Sequence, residues 1–184
     1  MRKLIIILIF IYGAGYACAQ DIYLSRNGKI SFVSDAPLEV IKASTTNLKG
    51  AINLSDRTFL FTIENNTFKG FNSPIQQEHF YENYMETQKY PVSSFQGKII
   101  EPIKTDNKLK QVVRAKGILN IHGVEQERII KGTLQMSGDH IYIHAEFTVP
   151  LEDHNIRIPR IVYQKIAEVI QVTIDADLVK QKDN

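Results

Sequence analysis

Most of the chain alternates apolar and polar positions with a period of two, the signature of strands that bury one face. The alternation predicts strands at about Lys29–Ser34, Asn47–Leu54, Thr58–Glu64, Ser93–Glu101, Leu109–Ile121, Arg128–Met136, Ile141–Pro150 and Glu168–Val179. On one parity lie Leu48, Ile52, Phe59, Phe61, Ile63, Phe95, Ile99, Val113, Ala115, Leu119, Ile121, Ile130, Leu134, Met136, Ile143, Ala145, Phe147, Val149, Ile170, Val172, Ile174, Ala176 and Leu178. The other carries Lys49, Gln96, Lys98, Arg114, Lys116, Lys131, His144, Glu146, Gln171 and Asp175. Polar turns at Ser55-Asp56-Arg57, Thr105-Asp106-Asn107 and Ser137-Gly138-Asp139 are too short for parallel crossovers, so neighbouring strands run antiparallel. Eight such strands make a meander, and closure removes its edges. The expected fold is therefore mainly all-β, an antiparallel eight-stranded barrel with one or two short helices. A sandwich is the second choice. Apolar-in, polar-out alternation excludes an outer-membrane barrel, whose outer band would be apolar.

The period switches once, between Gln76 and Glu86. Phe80, Tyr81, Tyr84 and Met85 fall along one side of a helix, and Glu78, Glu82, Asn83 and Glu86 take the wetter side. Tyr90-Pro91 returns the chain to extended geometry. A short helix between two strand series is placed to cross an open barrel end, with Phe80 and Tyr84 facing inward. A second irregular stretch, Leu151 to Glu168, contains Pro159 at the start of another short helix. Its Ile161, Val162, Lys165 and Ile166 are expected to cover the same kind of opening.

Length and charge narrow the function. The chain has 184 residues, a net charge of +2 and 43% hydrophobic content, which suits one domain with a sizeable core. No basic run is long enough for electrostatic nucleic-acid binding. At the N-terminus, Met1-Arg2-Lys3, the apolar run Leu4 to Tyr12 and Ala17-Cys18-Ala19 read as an export leader over residues 1–19. The domain then occupies residues 20–184, in the periplasm or outside the cell. The leader is too short for a transmembrane anchor. Lipidation of Cys18 is the less favoured reading, because Gly15-Tyr16-Ala17 lacks a lipobox leucine. No other cysteine exists, so no disulfide staples the fold. Only the tail from Lys180 to Asn184 reads as disordered.

Gly50, Gly97, Gly117 and Gly132 stand mid-strand on the inward parity. Glycine there marks either the curvature of closure or a missing side chain beside a cavity. A barrel of about eight strands packs solid or holds one small ligand. The candidate ligand-binding set is Gly50, Ile52, Phe61, Phe80, Tyr84, Phe95, Gly97, Gly117, Leu119, Gly132, Phe147 and Ile174. No catalytic, metal or cofactor site is expected. His79 and Glu82 fall at i, i+3, and His140 and His144 share a parity with no third ligand nearby. Ser93-Ser94 and Asp153-His154 lack any spacing that requires a triad.

Four stretches together resemble the YceI-like family: Glu78 to Pro91, Ser94 to Gly97, Gly117 to Val124 and Ala145 to Ile156. The resemblance covers essentially the whole domain. It implies an exported, lipocalin-like barrel whose interior holds a long apolar chain of the polyisoprenoid or isoprenoid quinone class, with no enzymatic activity. An apolar isoprenoid-type lipid is thus the expected partner, and a homodimer is compatible with it. Asp153-His154 departs from the aspartate-tyrosine commonly found in the family, and Pro150 interrupts the preceding strand. Two other functions stay open. One is a metal-dependent or hydrolytic enzyme using His79, His122 or His154 at the mouth; the other is a ligand-free interaction or stress-response module.

Overall fold

The computed structural model describes residues 21–105 and 109–181. The leader, Cys18, the centre of the Thr105-Asp106-Asn107 turn and the last three residues lie outside them. Eight strands close into one antiparallel barrel in simple sequence order. They are β1 (Ile22–Asp35), β2 (Val40–Asn53), β3 (Thr58–Glu64), β4 (Val92–Ile99), β5 (Gln111–Ile121), β6 (Val124–Ser137), β7 (His140–Pro150) and β8 (Val169–Lys180). The barrel closes where β1 pairs with β8, Lys29 opposite Asp175 and Tyr23 opposite Lys180. Lys180 thus belongs to the sheet, and its ammonium reaches Asp21 at 2.7 Å; the expected disordered tail begins too early. No helix among the described residues is long and apolar enough to cross a membrane.

The predicted strands appear in the predicted order, and three of them, β1, β2 and β6, are markedly longer than expected. β1 starts at Ile22 because polar Ser25-Arg26-Asn27-Gly28 does not end the strand. It is absorbed as an irregularity within the β1–β2 ladder, where the register shifts between Ser25 and Ile30. β2 starts at Val40 because polar Ser44, Thr45 and Thr46 stay in the ladder, with Ile41, Ala43 and Thr45 buried in alternation. Between β5 and β6 the chain reverses over two residues, His122 (φ 54°) and Gly123 (φ 71°). Positive φ at both matches the right-handed twist of the flanking strands.

Connections alternate between the two ends of a meander. One end carries the short links 54–57 and 138–139, the described parts of the 100–110 connection, the start of β1 and the end of β8. The other carries 36–39, the long β3–β4 connection, the His122-Gly123 turn and the 151–168 loop. In the β3–β4 connection, helix α1 (Pro74–His79) continues through a wider π-type turn, Phe80–Tyr84. Pro74 occupies the first turn and the Ser73 hydroxyl accepts from the Gln76 amide at 3.2 Å, so start and cap are those proline and serine favour. The helix stops before Glu86, which takes a φ of 42°, four residues earlier than Tyr90-Pro91 alone would require.

The alternation decides what fills the barrel. At the end with the short links, Tyr23, Met136, Ile141 and Leu178 are buried, Ile141 and Leu178 at 0% exposure. They sit on adjacent strands: Met136 opposes Ile141, and Ile141 opposes Leu178. Tyr23 opposes Ile52, itself 1% exposed. This belt is a packed floor.

Candidate ligand-binding cavity

Above that floor the packing gives way to a cavity of about 500 Å³. Interiors normally hold few voids larger than a water molecule, so a space this large is a feature of the fold. Its volume lies within the range of small-ligand sites. Ile52, Phe59, Ile99, Val113 and Leu134 line its base; Leu119, Phe147, Val149, Val172 and Ile174 line its wall. All come from the inward parity of the strands.

The lid residues close over this space as an aromatic cluster. Phe80 stacks on Phe32 of β1 with ring centroids 5.4 Å apart, and it meets Phe68 at 5.7 Å and Phe71 at 5.0 Å. Tyr81 donates its hydroxyl to the Phe68 carbonyl at 2.5 Å, holding that cluster to the connection. Tyr84 and buried Met85 line the cavity beside it. Burial raises the Tyr84 phenol above its ordinary value, so it stays neutral there.

Nine of the twelve sequence candidates line the cavity: Ile52, Phe61, Phe80, Tyr84, Phe95, Leu119, Gly132, Phe147 and Ile174. Gly50, Gly97 and Gly117 do not, and the reasons differ. The Phe61 ring lies directly over Gly50, with a ring carbon 2.3 Å from where a Cβ would stand. The glycine makes room for the ring, and the ring fills the space. Gly97 and Gly117 oppose each other across β4 and β5. A Cβ on either would come within 2.1 Å of a carbonyl oxygen of the other strand. That pair permits close backbone approach and curvature, the alternative already open for mid-strand glycine. Periodicity missed Phe32, which falls in a correctly predicted strand, and Phe68 and Phe71, which fall in a loop. The dense aromatic spacing of 68–81 was the available signal.

Two sets of contacts fasten the lid. On one side the Glu39 carboxylate accepts from Gln76 at 3.0 Å and from Asn72 at 3.3 Å, clasping α1 to the β1–β2 loop. That loop is tied in turn to the 151–168 loop by Leu38 N–H donating to Gln164 O at 2.9 Å. On the other side His122 places Nε2 2.6 Å from Glu86 Oε2 and Nδ1 3.1 Å from the His154 carbonyl. The Tyr90 ring packs edge-on against it at 4.5 Å. Both ring nitrogens of His122 therefore face acceptors, one from the lid and one from the 151–168 loop.

The histidines weighed for catalysis are thereby placed. His79 lines the mouth, and His122 is a strut. His154 is 0% exposed with Nδ1 3.2 Å from the Val124 carbonyl, while its Nε2 is buried with no hydrogen-bond partner. Burial pushes its ring below the ordinary imidazole value, opposed by the nearby backbone carbonyls. Asp153 pairs with Arg128, and the Ser93 hydroxyl donates to Asn65 at 2.8 Å. These groups are engaged separately rather than as a nucleophile, base and orienter. Among the described residues no cluster of three or more histidines, cysteines or carboxylates has metal-holding geometry. His140 and His144 lie on the outer face, each against one aspartate, Asp177 at 2.9 Å and Asp175 at 2.8 Å. In the 151–168 loop Val162, Lys165 and Ile166 line the mouth as expected, but Ile161 is 91% exposed and is not part of the lining.

A closed antiparallel meander with an apolar interior cavity and a capped mouth has the architecture of a barrel that encloses a small apolar guest. The chain belongs to the YceI-like family, whose domain profile matches residues 25–178. Its fold is shared with a polyisoprenoid binding domain from Saccharophagus degradans, 13% identical, with a TM-score of 0.73 over 88% of this chain and 99% of that one. BcnA from Burkholderia cenocepacia is also 13% identical, with a TM-score of 0.66 over 82% and 95%. The YCEI protein of Campylobacter jejuni follows at 14% and 0.54, over 72% and 78%. At such identities these likenesses speak for the fold alone. No curated protein sequence matches the chain.

Proposed function

We propose that the protein is an exported, non-enzymatic carrier that holds one long apolar lipid of the polyisoprenoid or isoprenoid quinone class inside the barrel. The observation that carries this reading is the cavity itself, about 500 Å³ of predominantly apolar wall closed at one end and lidded at the other. Each methylene moved from water into such a wall is favourable by about 0.8 kcal/mol, so a long prenyl chain needs no charged anchor. The family, and the polyisoprenoid binding domain among structures of the same fold, support the ligand class. Export rests on the charged and apolar run of residues 1–19.

Native mass spectrometry of the protein purified from its producing cells tests the ligand directly. A co-purified prenyl lipid at one per chain is the expected result. An empty barrel that also fails to take up a fluorescent prenyl analogue would sink the proposal. Fractionation tests export separately, with the cytosol as the contrary location.

A further inference from the structure

Four non-glycine residues among the described ones take a positive φ: Arg57 (65°), Glu86 (42°), His122 (54°) and Asn155 (57°). Asparagine tolerates that region, and Arg57 belongs to the short link 54–57 at the floor. The remaining two meet side chain to side chain, His122 Nε2 standing 2.6 Å from Glu86 Oε2.

Each of the two occupies a position that another residue would suit better. Glu86 ends the wide turn of the lid, where Met85 N–H donates to the Phe80 carbonyl and Thr87 N–H to the Tyr81 carbonyl. A helix end of this kind favours glycine. His122 opens the two-residue turn into β6, where positive φ favours asparagine or glycine. Backbone cost of this sort gathers at clamps and switches, held in place by the surrounding contacts.

The lid is also built to turn about this point. Beyond Glu86 the chain is fixed: buried Asn65 donates Nδ2–H to the Tyr90 carbonyl at 2.8 Å and its N–H to the Pro91 carbonyl at 2.8 Å. Before Glu86 come Phe80, Tyr84 and Met85, which cover the cavity, and α1, none of whose residues is buried. Glu86 lies between fixed post and moving cover, and hinges are residues that absorb such a change in φ.

We propose that the Glu86–His122 contact is the latch of a gate, with Glu86 as its hinge. The lid from Pro74 to Met85 swings about Glu86 to let an apolar guest pass, and the latch sets how fast it does so. The inference rests on the carrier reading above, since a cavity that never fills needs no gate. The latch is made in the closed barrel, empty or loaded, and is broken only while the lid is open. Its removal should therefore speed entry and release alike and leave the equilibrium affinity unchanged.

The test is stopped-flow uptake and displacement of a fluorescent prenyl analogue. His122→Asn keeps a residue suited to the turn and removes the imidazole. Glu86→Gly suits the helix end and removes the carboxylate. Glu86 is partly exposed, so its variant reads the latch even where His122→Asn loosens the turn. Each should accelerate both uptake and release by about tenfold, the scale of one charge-assisted hydrogen bond. The double variant should be no faster than either single one, because all three lack the same contact. Unchanged rates, acceleration by only one of the two, or additive effects would overturn the proposal. So would faster release alone with affinity lost in proportion, which would make the pair a brace. Hydrogen exchange without ligand keeps the two readings apart. A wild-type protein that takes up no analogue sinks the carrier, while faster exchange over 74–85 in both variants upholds the latch. Unchanged exchange there would sink the latch whatever the uptake.

Discussion

The two ends of the barrel are built from the same eight strands and the same alternation, and they do opposite things. At the floor, short links bring adjacent strands together at once, and Tyr23, Met136, Ile141 and Leu178 meet across neighbouring strands until no space is left. At the mouth, two of the four connections are long, and inward side chains face a cavity covered by Phe32, Phe68, Phe71 and Phe80. Hydrophobicity is not what separates the ends, since both are apolar. Whether side chains from opposite walls touch is what separates them.

Truncation at the floor should therefore have the largest effect on stability. Leu178→Ala is expected to cost about 2–5 kcal/mol in chemical denaturation, the range for a core leucine whose neighbours cannot collapse. A loss below about 1 kcal/mol would mean that the floor is not packed. Gly117→Leu should come next, with a loss of about 1–3 kcal/mol or more, because its side chain must displace the Gln96 carbonyl of the adjacent strand. Its contrast is Ala145→Leu, which adds bulk at a cavity-lining position. That variant should keep stability within about 1.5 kcal/mol while uptake of the prenyl analogue falls. Retained uptake with a large stability loss would show that the upper barrel is as solid as the floor.

Acidification should act at the mouth before the floor. Burial depresses the His154 imidazole, so the fold accepts the neutral ring better than the charged one. The sign follows: this contribution is present above the ordinary value near 6.5 and is lost as pH falls from there towards the depressed value. Thermal unfolding between pH 7.5 and 5 should show that loss, and His154→Gln should flatten it. The smallest effect is expected from Glu39→Ala, which removes the clasp on α1 at about 0.5–1.5 kcal/mol. Hydrogen exchange should accelerate in α1 and leave the β6–β7–β8 floor unchanged; acceleration in both would mean that the ends are one cooperative unit.

Much of this was legible in the residues because strand periodicity is a local property. Inward positions such as Ile52, Leu119 and Ile174 follow from alternation alone, and β3, Thr58–Glu64, was delimited to the residue. The period switch at Phe80 and Tyr84 likewise placed two lid residues. Failures came where one pattern has two causes. The first strand was expected only from Lys29, yet β1 runs through polar Ser25-Arg26-Asn27-Gly28 by a register shift. Gly50, Gly97 and Gly117 look like missing side chains beside a cavity. One is filled by Phe61 and two are close contacts between β4 and β5.

By itself, then, the sequence determined the eight strands, their inward faces, the position of the lid and the resemblance to a family, because each depends on neighbours a few residues apart. Two things were decided only by the tertiary structure. The division between solid floor and open cavity depends on side chains distant in sequence meeting inside the closed barrel, as where Tyr23 joins Met136, Ile141 and Leu178 in one buried cluster. The roles of His122 and His154 depend on the lid, a turn and a loop converging at one end. Alternation tells a side chain which way to point; closure of the barrel decides what it meets there.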